Sequence, residues 1–307
     1  MANQSYLNQI IGRVPQWAGR DDIQTSFLGG GITNENVRLD VDGESFVLRL
    51  AGEKTALLGI DRQQEFVAHS AAAKIGAAPE VVYFIEPEGY LVTRFVNGRS
   101  PTPAEIRQPD AIRQIARLLK QVHALPPISA VFSAFGTVRS YEQTARQVGV
   151  QFPARFDNWR EKMAEIETAV TATPFPPAFC HNDLLNGNFL RENGRIYLLD
   201  WEYAGMGDLY FDLANLAAHH EFDDEQEHWL LASYFGSSSE PQQARLKLMK
   251  IMSGFREAMW GMVQTGISQL DFDFSGYARQ HFDRMADRMN HPDYPQWLTA
   301  VTVIQDQ

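Results

Sequence analysis

Among its 307 residues the chain has one cysteine, Cys180, which excludes an intrachain disulfide framework and any zinc site built on thiolates. No apolar run reaches the length of a membrane span. The first residues, Met1-Ala2-Asn3-Gln4-Ser5-Tyr6, lack the basic stretch and apolar core of a secretory leader, so a cytoplasmic protein is expected. No basic segment offsets the formal charge of −11, which argues against nucleic acid and suits a cationic substrate. Internal repeats and low-complexity tracts are missing too. What remains is the composition of an ordinary globular enzyme, 44% hydrophobic and 21% charged, long enough for two lobes with separate cores.

What is present is concentrated in His181-Asn182-Asp183-Leu184-Leu185-Asn186-Gly187-Asn188 and Leu198-Leu199-Asp200-Trp201-Glu202-Tyr203. Asn188 lies five residues after Asp183, and Asp200 twelve after Asn188. Phe189-Leu190 and Ile196-Tyr197-Leu198-Leu199, with Glu192-Asn193-Gly194 between them, predict a short hairpin. A loop, a hairpin and a second loop can thus bring three oxygen-bearing side chains to one place. Phosphoryl transfer needs that set: a carboxylate to orient the attacking hydroxyl, and an Asn and a second Asp to hold magnesium. The Asp183–Asn188 offset matches that of the protein-kinase catalytic loop. The competing reading has Asp183 capping a turn, Asn188 satisfying backbone groups and Asp200 opening a loop. Cys180 beside His181 suggests a nucleophile, but a small apolar filler at a strand end accounts for it better.

In the N-terminal part, after a short leading segment, Ile23–Leu28 reads as a strand, Gly29 to Asn36 as a glycine-rich turn, and Val37–Val41 as the returning strand. Asp42-Gly43 then makes a tight hairpin into Ser45–Leu50. Strand–turn–strand is neither a Rossmann fingerprint nor a Walker A loop. Three glycines let backbone N–H groups approach phosphate oxygens, although a flexible hairpin tip needs no ligand. Arg49, in the third strand, stands where a kinase keeps its phosphate-gripping lysine, although taken by itself it reads as an exposed arginine on a strand face. A helix is expected from about Asp61, with Asp61 and Gln64 as a capping box and Phe66, Val67, Ala71 and Ile75 as its apolar residues. Glu65 on that helix is placed to pair with Arg49 as a kinase glutamate pairs with its lysine, or else to solvate an exposed helix face. Val81–Ile85 and Tyr90–Phe95 form a hairpin around Glu88-Gly89, completing the order β-β-β-α-β-β, and Val96–Pro101 is a plausible hinge.

The remainder is helical. Asp110 is expected to cap a helix striped by Ile112, Ile115, Leu119 and Val122, with Leu125-Pro126-Pro127 ending it and His123 as a satisfied core residue. Further helices are expected near Tyr141–Val150 and Phe156–Val170. Asp208 is placed to cap the next helix, and Asp212 to anchor the Asp183 loop by accepting its backbone donors. His219 and His220, adjacent on a helix, face different directions and make no metal pair. Trp260, Phe272 and Tyr277 read singly as core aromatics. Around a cavity, with Glu202, Glu257, Asp271 and Asp273 near in sequence, they suit a quaternary ammonium instead.

These pieces resemble the choline/ethanolamine kinase family, within the aminoglycoside-phosphotransferase-like kinases. The resemblance runs from about Phe27 to Tyr277. It rests on Val47-Leu48-Arg49-Leu50, His181-Asn182-Asp183 with Asn188, Asp200-Trp201-Glu202-Tyr203-Ala204-Gly205 and Phe211-Asp212-Leu213-Ala214-Asn215. It implies an α+β, bilobal protein-kinase-like fold: residues 1–96 a nucleotide-binding lobe with a small antiparallel sheet and one helix, 97–101 the hinge, and 102–307 a mainly helical lobe. It implies Asp183 as base and Asn188 and Asp200 as magnesium ligands. The nucleotide site would be drawn from Gly29, Gly30, Gly31, Thr33, Asn34, Arg49, Glu65 and Phe95, and the substrate site from Asp183, Glu202, Tyr203, Trp260, Phe272 and Tyr277. Two positions depart from the family. A pocket tryptophan falls near Glu257, and a pocket glutamate near His219, with Glu221 close by.

The expected function is ATP- and Mg²⁺-dependent phosphorylation of choline, or of ethanolamine or a related amino alcohol. Two alternatives stand beside it: an aminoglycoside or thiamine-type kinase, and a catalytically silent nucleotide-binding pseudokinase, against which the intact trio of Asp183, Asn188 and Asp200 speaks. The expected partners are the cationic amino alcohol and ATP, with no nucleic acid and no membrane. A homodimer stays open, since the polar, acidic sequence shows no dimer stripe.

Overall fold

The computed structural model describes residues 3–29, 34–52 and 55–302. It divides into two compact units, Met1–Pro101 with Gly187–Glu202, and Thr102–Asn186 with Tyr203–Gln307.

In the first unit the leading segment is a helix, α1 (Gln4–Ile11), capped by the Asn3 side chain. Its Leu7, Ile10 and Ile11 share one face by the i, i+3, i+4 rule and are buried. Strands β1 (Gln24–Leu28), β2 (Glu35–Val41) and β3 (Glu44–Leu50) follow, then α2 (Arg62–Lys74), β4 (Val81–Ile85) and β5 (Tyr90–Arg94), the order expected from the sequence. The strands pair antiparallel in the order β1-β2-β3-β5-β4. The β2–β3 turn is tight because Asp42 (φ 52°) and Gly43 (φ 77°) both take left-handed conformations. Alternation along β2 and β3 sends Val37, Leu39, Val41, Phe46, Leu48 and Leu50 into a core closed by α1, Val14 and Trp17. Each such aliphatic side chain contributes about 1.5–3 kcal/mol by leaving water.

Asp61 caps α2, accepting from the Gln63 and Gln64 N–H groups, but the buried face is not the one its apolar residues suggest. Glu65, Ala68, His69 and Ala72 point inward, whereas Val67 and Ile75 are exposed. The reason is electrostatic: Glu65 is turned in by Arg49 and Arg62, and that fixes the rotation of a helix rich in small residues.

The predicted hairpin is present as β7 (Phe189–Glu192) and β8 (Arg195–Leu198) around Asn193 (φ 48°) and Gly194 (φ 80°). By chain order it belongs with the helical part; by contact it belongs with the sheet unit. Leu198 N–H donates to the Ala77 carbonyl at 2.7 Å, and Arg99 and Arg191 exchange backbone hydrogen bonds of 3.1 and 2.8 Å. The Arg195 guanidinium donates to the Gly76 carbonyl at 2.8 Å. A Cβ on Gly76 would lie 1.4 Å from that guanidinium, so a side chain there would displace it.

The second unit contains α3 (Pro103–Ile106), α4 (Pro109–His123), α5 (Ala134–Gln147), α6 (Phe156–Thr171), β6 (Ala178–Cys180), β9 (Gly205–Gly207), α7 (Leu209–His219), α8 (Asp224–Phe235), α9 (Glu240–Ile267), α10 (Phe274–Met289) and α11 (Tyr294–Ala300). The stripe Ile112, Ile115, Leu119, Val122 of α4 is buried as expected, but Asp110 is not its cap. Gln108 occupies that position, and Asp110 pairs with Arg113 one turn on. Helix α5 begins seven residues before Tyr141, at Ala134, because Ser133 caps it. The 28-residue α9 is buried along most of its length. Gly261 admits α10 closely: a Cβ there would sit 3.1 Å from Ala278 and from the Tyr277 ring.

Candidate active site

In the second unit, β6 runs into the loop carrying Asp183. Asn182 takes φ 67°, a left-handed turn that asparagine tolerates. Helix α7 holds this loop. Its Asp212 carboxylate, fully buried, accepts from the N–H groups of His181 (2.8 Å) and Asn182 (2.6 Å), as expected of an anchor. One turn on, Asn215 Oδ1 accepts from Leu184 N–H at 2.5 Å. Helical spacing puts residues 212 and 215 on one face, so α7 clasps the backbone on both sides of residue 183. His123 completes the anchor, with Nε2 3.0 Å from Asp212 and Nδ1 2.7 Å from the Tyr234 hydroxyl; it is a core residue. Cys180 is buried beside them, and burial with the Asp212 charge pushes its thiol up, away from nucleophilic thiolate chemistry.

Asp183 is itself buried and accepts at Oδ1 from Arg256 Nη1 of α9 at 3.0 Å. The same Nη1 donates to Glu257, whose other oxygen accepts from the Tyr277 hydroxyl at 2.7 Å. Burial opposes ionisation of Glu257, yet Arg256 and His219 hold its carboxyl well below the usual range. Burial also opposes the Arg256 charge, and Glu257 with Asp183 keeps it firmly cationic. Tyr277 is pushed up by burial and by Glu257, so it stays a hydrogen-bond donor. Tyr277, which donates to this carboxylate, belongs to an aromatic cluster: Trp260 lies 5.5 Å from Tyr277 and 5.8 Å from Phe274, and Phe272 lies 4.8 Å from Phe274. The structure thus gathers Asp183, Trp260, Phe272 and Tyr277, while the Tyr203 ring faces Arg256 at 4.1 Å. Sequence reasoning missed Arg256. Its signal was an Arg-Glu pair inside the largely apolar stretch 251–263 of α9. Glu221 lies away from the cluster, in an exposed pair with Arg284.

The first unit holds a second charged cluster. Arg49 donates to Glu65, to Asp200 (2.5 Å) and to Glu202 (3.0 Å), and Arg62 donates to Glu65 (2.6 Å) and Glu202 (3.1 Å). Asn34 Nδ2 donates to Glu202 at 3.3 Å. Burial opposes the Arg49 charge, but Asp200, Glu65 and Glu202 together hold it above its ordinary value. Glu202, read from the sequence as a substrate residue, accepts from both arginines. Burial and the Asp200 charge push its carboxyl up to about 7 against their pull. Arg62, unremarked in the sequence, is the second arm of this cluster. Phe95, next to β5, has its ring capped by the Arg38 guanidinium at 4.4 Å. Gly29 follows β1 with open space around it, while Gly30, Gly31 and Thr33 lie outside the described residues.

Asn188 and Asp200 stand at the open end of the β7–β8 hairpin. Asn188 precedes β7, Asp200 comes two residues after β8, and Leu199 N–H donates to the Asn188 carbonyl at 2.8 Å. An amide and a carboxylate oxygen at one hairpin end are hard donors, the type Mg²⁺ accepts beside water and phosphate. The donor set therefore fits that ion.

His220, at the end of α7, is buried, and burial lowers its imidazole to about 4. An unfolded histidine titrates near 6.5, so between those values the unfolded chain binds the extra proton. The contribution of His220 is complete above pH 6.5 and is lost as pH falls towards 4. From pH 7 to 4.5, the wild type should lose about 2 kcal/mol more stability than His220→Asn. Denaturant unfolding at both pH values measures this, and parallel losses would contradict it.

Residues 24–247, most of the chain, match the family described as a phosphotransferase enzyme family (APH). Mouse ethanolamine kinase 1 is 26% identical over 311 residues, covering 88% of this chain and 85% of its own. The crystal structure of a choline/ethanolamine kinase family protein from Mesorhizobium loti superposes with a TM-score of 0.82 at 28% identity, covering 97% of this chain and 98% of that one. The crystal structure of LicA in complex with AMP gives a TM-score of 0.74 at 21% identity, covering 92% and 99%, a likeness of fold. The fold is the protein-kinase-like one, and the chain is choline/ethanolamine-kinase-like at low identity.

Proposed function

We propose, for a chain that belongs to the phosphotransferase enzyme family, that it transfers the γ-phosphoryl group of ATP to the hydroxyl of a small amino alcohol, choline in the first place and ethanolamine beside it. The observation that carries this reading is the joining of Asp183, through Arg256, to a buried carboxylate that accepts from Tyr277, a member of an aromatic cluster with Trp260. Cation and hydroxyl lie within a few atoms of each other in an amino alcohol, so base and cation receptor must be neighbours too. Glu257 puts a carboxylate into the aromatic wall, and this favours an ammonium with N–H donors; ethanolamine is retained for that reason.

In the proposed mechanism Asp183 accepts the hydroxyl proton as the oxygen attacks phosphorus, held in place by the α7 contacts to its backbone neighbours. Arg49, braced by Glu65, offers its guanidinium to the α- and β-phosphates. Arg62 braces Glu65 and Glu202 behind it. Asn188 and Asp200 would hold Mg²⁺, which when bound neutralises charge on the phosphates. The AMP held by LicA supports an adenine nucleotide as donor. The glycine turn from Gly29 is proposed to cover the phosphates, and Phe95 to border the nucleotide.

An ADP-release assay over choline, ethanolamine, an aminoglycoside and thiamine tests the proposal. Turnover with choline or ethanolamine is expected, and none with either would refute it. Trp260→Ala then tests the aromatic box. Loss of one cation–π face with its packing should raise the choline KM about tenfold, with ATP KM unchanged. An unaltered choline KM would remove the box from the reading.

A further inference from the structure

We infer that Arg256 is the positioning residue of the reaction: through one shared nitrogen it ties the orientation of the base Asp183 to that of the amine-facing carboxylate Glu257. This rests on the proposed reading of Asp183 and Glu257. Arg256 is only 1% exposed and lies in the middle of α9. Its Nη1 alone donates to both carboxylates, 3.0 Å from Asp183 Oδ1 and hydrogen-bonded to Glu257 Oε1. Among the described residues its Nε and Nη2 make no hydrogen bond, and the guanidinium carbon lies over the Tyr203 ring, 4.1 Å from its centroid. The two carboxylates and that ring are therefore what hold the group.

The consequence is mechanical as well as electrostatic. Neither carboxylate can turn without moving the donor that serves the other. Glu257 is fixed from its far side by the Tyr277 hydroxyl and faced by His219 Nε2 at 3.6 Å. A line of contacts thus runs Tyr277–Glu257–Arg256–Asp183, from the aromatic wall to the reacting hydroxyl. An ammonium settling against that wall meets a carboxylate whose position also sets the angle of the base. Arg256, buried behind the carboxylates, acts through them.

The test is steady-state kinetics of the full chain, wild type beside Arg256→Lys and Arg256→Met, with melting curves for each. Lysine keeps the charge but not the planar fork that reaches both acids. We expect kcat to fall about tenfold in Arg256→Lys and about a hundredfold or more in Arg256→Met, with ATP KM within about twofold of wild type. Folded Arg256→Met with kcat within about threefold of wild type, or a change confined to KM, would overturn the inference. If the methionine variant does not fold, Arg256→Lys decides by the same threshold. Wild-type inactivity on both amino alcohols would count against the proposed function instead, so the two failures are distinguishable.

Discussion

Asp183→Ala is expected to leave a folded protein that binds ATP with wild-type affinity and turns over roughly 10²–10⁴-fold more slowly, the range for loss of a general base. The expectation of an intact fold follows from how the loop is held. Helix α7 grips the backbone of residues 181, 182 and 184 and makes none of those bonds to the side chain of residue 183. Arg256 keeps Glu257 as a counter-ion after the substitution, so no buried guanidinium is stranded. Calorimetric titration with an ATP analogue and the ADP-release assay read the two halves separately. A variant turning over at the wild-type rate would exclude Asp183 as the base. One that no longer bound nucleotide would show that the loop does more than orient the hydroxyl.

Asp212→Ala should strike the same loop from behind, and stability as well as rate. The carboxylate is wholly buried and accepts from two backbone N–H groups and from His123. Each backbone donor stranded without water or partner costs about 1–3 kcal/mol, and the loss to His123 adds to it, so destabilisation of roughly 3–5 kcal/mol is expected. The left-handed Asn182 turn then loses the acceptor opposite its N–H, and kcat should fall with the melting temperature. Asp212→Asn keeps one acceptor and should lie between wild type and alanine in both measurements. If Asp212→Ala melted within a degree of wild type, the anchoring role would be wrong.

Local elements were legible because local rules make them. Left-handed turns at Asp42-Gly43 and Asn193-Gly194, alternation in β2 and β3, and the Ile112–Val122 stripe all follow from neighbours in the chain. The anchor role of Asp212 was legible too, since an acid set among apolar residues at a helix start must find buried donors. The leading helix α1 was not recognised, although its Asn3 cap and i, i+3, i+4 pattern were there to be read. The α2 face was misjudged because hydrophobicity was weighed without the pull of Arg49 and Arg62 on Glu65.

The sequence alone determined the β-β-β-α-β-β order and the hairpins, since spacing and side-chain chemistry act over a few residues or one sheet register; it offered the pairing of Arg49 with Glu65 beside an exposed Glu65 on the helix face. Only the tertiary structure decided where long-range charges settled: Glu202 with Arg49 and Arg62, the β7–β8 hairpin with the sheet unit, and Arg256 between Asp183 and Glu257. The physical reason is that a buried charge must find its counter-charge wherever packing brings one within hydrogen-bonding distance, and across 73 residues of chain no periodicity records which partner that is.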